Sequence, residues 1–340
     1  MNIEKLEAFL QKHNQPKFRL QQIQKAVFQE SVSSFSEIST LNKDMRKNLE
    51  QEMKILSFEV EKVLASKDGK SMKALLKLKD ENLIEAVLIS PLDGVWSACV
   101  SSQVGCPLAC EFCSTGKMGF IRNLAAEEIT DQILFWNQQL KTKKEKVSNI
   151  VYMGMGEPFL NWEEVRKSLA DLIDEKKFNF ASRSISVSTS GIPEGIEKLS
   201  QEFPQVNLAL SLHFGSEARR SQIMPINRKN NLEALRQALK KYLAVTKRKI
   251  FLEYVMLSGV NDSMDDADDL IRFVKSVEKL QLMHVNLIRY NSTESRFHSS
   301  SKERTLKFKE YLASHNLGVT IRKSLGEEIQ GACGQLAAKK

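Results

Sequence analysis

GCPLACEFCSTG, residues 105–116, sets three cysteines, Cys106, Cys110 and Cys113, in C-x3-C-x2-C spacing. Closed four-ligand sites complete an iron–sulfur cluster or a tetrahedral zinc. This loop offers three thiols, with no histidine or fourth cysteine close by. A cubane cluster held this way keeps one iron open, and a substrate group can chelate it beside a one-electron donor. The competing reading is a structural zinc knuckle with a remote fourth ligand. Zinc sites usually show paired C-x2-C or C-x2-H steps, so the spacing favours the cluster.

The 340 residues carry a net charge of +8, with 42% hydrophobic and 27% charged positions. That length exceeds one average domain, and the apolar content suits a substantial core. The basic balance points to a polyanionic partner, nucleic acid before membrane. Five cysteines are an odd number and do not make a secreted disulfide framework. The opening MNIEKLEAFLQKH has charges inside its first apolar stretch, unlike a signal peptide. No apolar run reaches the about 18 residues of a membrane span. The expected location is the cytoplasm, where thiols stay reduced and a cluster persists.

Hydrophobic periodicity divides the chain. Residues 1–55 read as helical: Ile3, Leu6, Phe9 and Leu10 share one face, Phe18, Ile23, Val27 and Phe28 mark a second helix, and Leu41, Met45 and Leu49 a third. This predicts a small accessory module with its own core, serving RNA contact or, alternatively, dimerisation. Residues 56–94 shift to period two and predict a β-hairpin connector. From 95 to 325 strands and helices alternate, which demands a parallel sheet, here a partial barrel. The tail is 326–340. Catalytic groups of such barrels gather at the C-terminal strand ends, where the cysteine loop, MGMGEP (153–158), STSG (188–191), SLH (211–213) and RYN (289–291) all fall. The charge runs KTKKEK (141–146) and KRK (247–249) read as solvated faces before RNA contacts.

Beyond the cysteine loop, the chain holds VSSQVGC (100–106), VYMGMGEPFLNW (151–162), SVSTSGIP (186–193), LALSLH (208–213), MPINR (224–228), EYVMLSGVND (253–262) and ACGQL (332–336). Over essentially its full length it resembles the RlmN/Cfr family of radical S-adenosylmethionine (SAM) RNA adenosine methyltransferases. The resemblance implies an α/β fold: a radical-SAM partial (β/α)6-type barrel with the helical accessory domain and the hairpin connector. It implies one [4Fe-4S] cluster on Cys106, Cys110 and Cys113, and SAM as cosubstrate. Gly156 and Glu157 match the motif that holds the SAM amino group. Ser188, Ser211, Leu212, His213 and Asn291 match further SAM-binding positions, and Phe112 matches an aromatic beside the adenine. Without the resemblance the polar ones would read as strand-end caps. Arg289 departs from the family, which commonly has proline there.

The same resemblance makes Cys333 a methyl carrier through S-methylcysteine, Cys99 its partner in a transient disulfide, and Glu85 a proton acceptor. On residues alone, Cys333 is a free tail thiol, Cys99 a small buried side chain, and Glu85 an equally good solvent-facing strand carboxylate. Carbon 2 of adenine is electron-poor, and SAM is itself an electrophile, so direct polar transfer lacks a nucleophile. The implied route spends one SAM on methylating Cys333 and a second on making the radical that activates the S-methyl group. The expected substrates are 23S ribosomal RNA and tRNA, methylated at carbon 2; the alternative is carbon 8 of the ribosomal adenosine, conferring antibiotic resistance. A reducing donor such as flavodoxin and a monomeric state are expected, with no membrane partner.

Overall fold

The turn KDG at 67–69, with Gly69 in the left-handed region at φ +68°, joins the first two strands of an antiparallel meander. These are β1 (Phe58–Ala65), β2 (Ser71–Leu78) and β3 (Leu83–Leu92). The outer strand β1 is mostly exposed and alternates Glu, Val and Lys, a charged edge that discourages further pairing. The computed structural model describes residues 1–293 and 295–338.

Next comes β4 (Val95–Cys99), antiparallel to β3 on one side. A two-stranded ribbon, β5 (Gln103–Gly105) and β6 (Phe120–Asn123), brackets the cysteine loop. The remaining strands are β7 (Val147–Tyr152), β8 (Ile185–Thr189), β9 (Asn207–Ser211), β10 (Ile250–Met256), β11 (Met283–Arg289) and β12 (Gly318–Arg322). They pair in parallel in that order, starting from β4. The meander and the parallel strands therefore make one continuous ten-stranded sheet. Among the described residues β12 pairs only with β11, so the barrel is open between β12 and β1. The inner strands read as apolar runs, Leu208–Leu210 or Tyr254–Met256, because both faces are covered.

Crossover helices occupy 126–140, 162–173, 193–202, 232–246, 264–276 and 302–314. Their starts are written locally. Asn231 and Ser301 cap with their side chains, and Ser263 forms a reciprocal box with Asp266. The helix at 193–202 connects β8 to β9. GIPEG reads as a turn, yet Pro193 starts a helix that buries Ile196 and Leu199.

The N-terminal module does not have a core of its own. Leu6, Phe9, Ile23, Phe35 and Leu49 belong to the same apolar cluster as the barrel strands. Phe28 packs on Phe178 at 4.8 Å. The Met1 ammonium pairs with buried Asp131. Three short helices cannot bury all their apolar surface among themselves, so a second face seats on the barrel. The 141–146 run serves this seam: Lys141 pairs with Glu37 at 3.0 Å, and Lys146 donates to the Gln29 carbonyl at 2.8 Å. Among the described residues no helix is long and apolar enough to cross a membrane.

Candidate active site

The cysteine loop is built on backbone that few residues tolerate. Cys106 N donates to Gly119 O at 2.8 Å, and Gly105 sits at φ +74° with an added Cβ only 1.9 Å from that same oxygen. Ala109 is left-handed at φ +50°, and Cys113 N donates to Cys110 O at 3.1 Å. The loop curls back on itself, turning its thiols toward a small apolar cluster that includes Leu108, Phe214, Met224, Val255 and Tyr290. Burial pushes Cys106 up to about 12 and Cys110 higher still, each also raised by its neighbouring cysteines. Cys106 and Cys110, thiols that resist ionising when alone, form with Cys113 a donor set that a cationic centre would take as thiolates. Among the described residues no three His, Cys, Asp or Glu side chains gather closely enough for a single metal ion. Three cysteines on one short loop suit a cubane, in which each would bind a different iron.

Beyond β7 the GMGEP turn is locked to the segment that precedes the cysteines. An added Cβ on Gly154 would lie 2.6 Å from the Val100 carbonyl, and one on Gly156 (φ +102°) 2.6 Å from Gln103 Cβ. Glu157 N donates to Gln103 Oε1 at 2.8 Å. The Glu157 carboxylate is buried and accepts from Phe159 N at 3.2 Å and Ser190 N at 2.7 Å. Burial outweighs these hydrogen bonds and pushes its pKa up to about 7. Among the described residues no salt bridge reaches it, and a buried carboxylate of this kind suits an incoming cation.

The next strand ends continue the arc. Ser188 and Ser211 place their hydroxyls 3.3 Å apart across β8 and β9. After buried Leu212, His213 is left-handed at φ +58°, and its Nδ1 accepts from Val255 N at 3.1 Å. Burial and the nearby Arg220 charge lower its pKa to about 3, so the ring is neutral with its proton on Nε2. Phe112 meets it edge-on at 5.0 Å, joining the cysteine loop to the SLH turn. Asn291 is engaged by the tail: Nδ2 donates to Cys333 O at 3.3 Å, and Oδ1 accepts from Ser324 Oγ at 2.5 Å.

The tail crosses the open side of the barrel. Lys67 N donates to Glu328 Oε1 at 2.6 Å, and Arg289 pairs with Glu327 at 3.5 Å, so this departure from the family's proline contacts the tail. Ser114 N donates to Gly334 O at 2.8 Å and Thr115 Oγ1 to Leu336 O at 2.7 Å, directly behind Cys113. Cys333 is exposed; the protein around it and the Glu253 carboxylate raise its pKa, while Arg322 lowers it. Cys99 is opposite Val87 in the β3–β4 ladder, and burial and the neighbouring Cys333 push its thiol up strongly. All five cysteines are free thiols, so the expected disulfide between Cys99 and Cys333 is not formed. Glu85 is not solvent-facing. It is buried, paired with Lys73 at 2.7 Å, and accepts from Ala337 N at 2.8 Å and Ala338 N at 3.1 Å.

Two polar residues escaped the sequence reading. Arg220 is fully buried and donates to the carbonyls of Leu212 (3.0 Å), Ser190 (2.6 Å) and Ser211 (3.3 Å) and to Asn227 Oδ1 (2.6 Å). Burial lowers its pKa to about 10, leaving it charged beside Cys110. Glu253 is buried on β10, accepts from Asn286 Nδ2 at 2.8 Å, and has its pKa raised by burial. A single charged residue within a helix or strand carries no local signal that it is buried.

Residues 100–274 match the Radical SAM superfamily, and residues 1–55 match the Ribosomal RNA large subunit methyltransferase N-terminal domain. A radical SAM methyltransferase from Sphaerobacter thermophilus superposes with a TM-score of 0.93 at 35% identity, over 100% of this chain and 98% of that one. With the open barrel and its three-cysteine loop, these likenesses define a radical-SAM methyltransferase. Among curated relatives, a probable dual-specificity RNA methyltransferase RlmN of Syntrophomonas wolfei is 40% identical, covering 99% of this chain and 95% of its own. The ribosomal RNA large subunit methyltransferase Cfr of Bacillus velezensis is 38% identical, covering 98% and 95%. The chain belongs to the RlmN/Cfr family of radical-SAM RNA methyltransferases.

Proposed function

We propose that this enzyme methylates carbon 2 of an adenosine in 23S ribosomal RNA and in tRNA, with Cys333 as the carrier of the methyl group. The observation that carries the reading is the seat of the Cys333 loop. It is hydrogen-bonded to Ser114 and Thr115, just behind the cysteine triad, while Cys99 is close enough for the two thiols to influence one another. A remote tail thiol has no structural reason to be held there.

Cys106, Cys110 and Cys113 would hold a [4Fe-4S] cluster, which with SAM and a reducing donor such as flavodoxin supplies one-electron cleavage and an organic radical. Glu157 is placed to bind an ammonium, with Gly156 giving close backbone approach. Ser188, Ser211 and the Nε2–H of His213 offer oriented hydrogen-bonding groups along the same rim, and Phe112 a wall. Cys333 receives and delivers the one-carbon unit. Cys99 attacks the Cys333 sulfur to release product, closing a transient disulfide that an external thiol reductant must reduce before the next turnover. Glu85 is the proposed proton acceptor, and its Oε2 becomes free for that work only when the Ala337 and Ala338 amides leave it.

RlmN names prevail among the relatives, which supports carbon 2. The test is mass spectrometry of nucleosides from RNA treated with the reduced enzyme, against 2-methyl- and 8-methyladenosine standards. Appearance of 8-methyladenosine alone would place the chain with the carbon-8 branch instead.

A further inference from the structure

We propose that Lys73 is a positioning residue for Cys333, acting with Glu85 as one staple that fastens both ends of the Cys333 loop. Lys73 stands on β2 and Glu85 on β3, with side chains 11% and 3% exposed and Nζ 2.7 Å from Oε1. Lys73 Nζ also donates to Gln330 O at 3.2 Å, just before the loop. Glu85 Oε2 accepts from Ala337 N and Ala338 N, just after it. Two charged groups in mutual contact therefore receive the entry and the exit of one segment.

A buried ion pair is weak evidence of stabilisation, since apolar residues of similar size often serve a sheet as well. The β2–β3 ladder is complete without it, pairing continuously from Ser71↔Ile89 to Lys77↔Leu83. What the pair adds is directed at the tail, through charge-assisted hydrogen bonds to backbone groups that only a fixed loop can present. Its location gives that fixing a purpose. Lys73 is opposite Val87 on β3, and Val87 is opposite Cys99 on β4, so the three share one face. An added Cβ on Gly331 would be 3.5 Å from both Lys73 Cβ and Val87 Cγ1. The staple thus seats the loop on the row that ends at Cys99. Ser114, Thr115 and Ser292 hold the middle of the loop from the opposite rim. Across the gap between β12 and β1 the loop is held as a bridge with two abutments.

The inference rests on the carrier reading of Cys333, but its test is read without turnover. Hydrogen–deuterium exchange of the cluster-loaded full chain, followed on its C-terminal peptide, compares wild type, Lys73→Gln and Lys73→Arg. Lys73→Gln is expected to speed exchange of the tail amides roughly tenfold or more, with the β2 and β3 ladder unchanged, and Lys73→Arg to restore most of the protection. In turnover Lys73→Gln should lower kcat while leaving KM for RNA unchanged. Unaltered tail exchange in Lys73→Gln would overturn the proposal. So would faster exchange spread equally over β2, β3 and tail, which would make the pair a sheet contact only. Loss of the carrier role would register separately, as product formation by Cys333→Ala.

Discussion

Glu157 Oε2 accepts the Ser190 amide at 2.7 Å, tying the turn after β7 to the turn after β8. The carboxylate is held at a pKa of about 7, raised by burial from the usual 4.5. The folded state therefore binds a proton that the unfolded chain has released between those values, so this group's contribution to stability is lost as pH rises through about 7. An ammonium ligand reverses the cost by favouring the charged form. SAM binding should accordingly weaken by up to about tenfold per unit as pH falls below 7. Glu157→Gln should bind about 10–100-fold more weakly and lose that pH dependence, read by calorimetry on anaerobic protein. A flat wild-type profile from pH 5.5 to 8 would remove the ammonium role.

Gly105→Ala should disrupt the cysteine loop without touching a cysteine. Its Cβ would fall 1.9 Å from Gly119 O at a left-handed φ, a strain of about 1–3 kcal/mol before the clash is counted. Anaerobic wild-type protein is expected to carry about four irons per chain. Cys106→Ala, Cys110→Ala and Cys113→Ala should each lose the cluster and SAM cleavage, and Gly105→Ala should lose most of its iron. Full iron occupancy in any of the cysteine variants would undo the ligand assignment.

Legibility followed the range of the interaction. The cysteine loop and GMGEP were readable because spacing and glycines over a few residues dictate their turns, as at Gly105 and Gly156. Most crossover helices and parallel strands were readable from apolar period alone. The accessory module was misread as self-sufficient because periodicity finds the apolar face of a helix but not its partner, such as Phe178 for Phe28. The contacts of Glu85 with Ala337 and Ala338 span 252 and 253 residues, and no local pattern announces them.

Arg220 shows what a missed residue does for the site. Its guanidinium holds the carbonyls of Ser190, Ser211 and Leu212 together, so the STSG and SLH turns are fixed by one buried cation. Arg220→Gln leaves several of these acceptors without donors, and removing donors from buried acceptors costs about 1–3 kcal/mol each. A fall in unfolding free energy of about 3 kcal/mol or more is expected in chemical denaturation. Lys should not restore it, because a point charge cannot reach the carbonyls as a planar fork does. Stability equal to wild type in both variants would show that the turns hold themselves.

Cys333→Ala and Cys99→Ala should fail at different steps. Without Cys333 there is no carrier, so methyl transfer stops while the cluster and its iron content remain. Without Cys99 the carrier is still methylated and still joins to the base, since neither step uses the Cys99 thiol. What is lost is the attack on the Cys333 sulfur, and a covalent protein–RNA species should accumulate to about one equivalent per enzyme. Nuclease digestion followed by peptide mass spectrometry should find a nucleotide on the peptide containing Cys333. A disulfide needs the two Cα atoms within about 7 Å. The seat of the tail over Val87, the residue opposite Cys99, makes that approach a matter of local adjustment rather than of refolding. Free turnover by Cys99→Ala at the wild-type rate, with no adduct, would reduce Cys99 to a packing residue on β4.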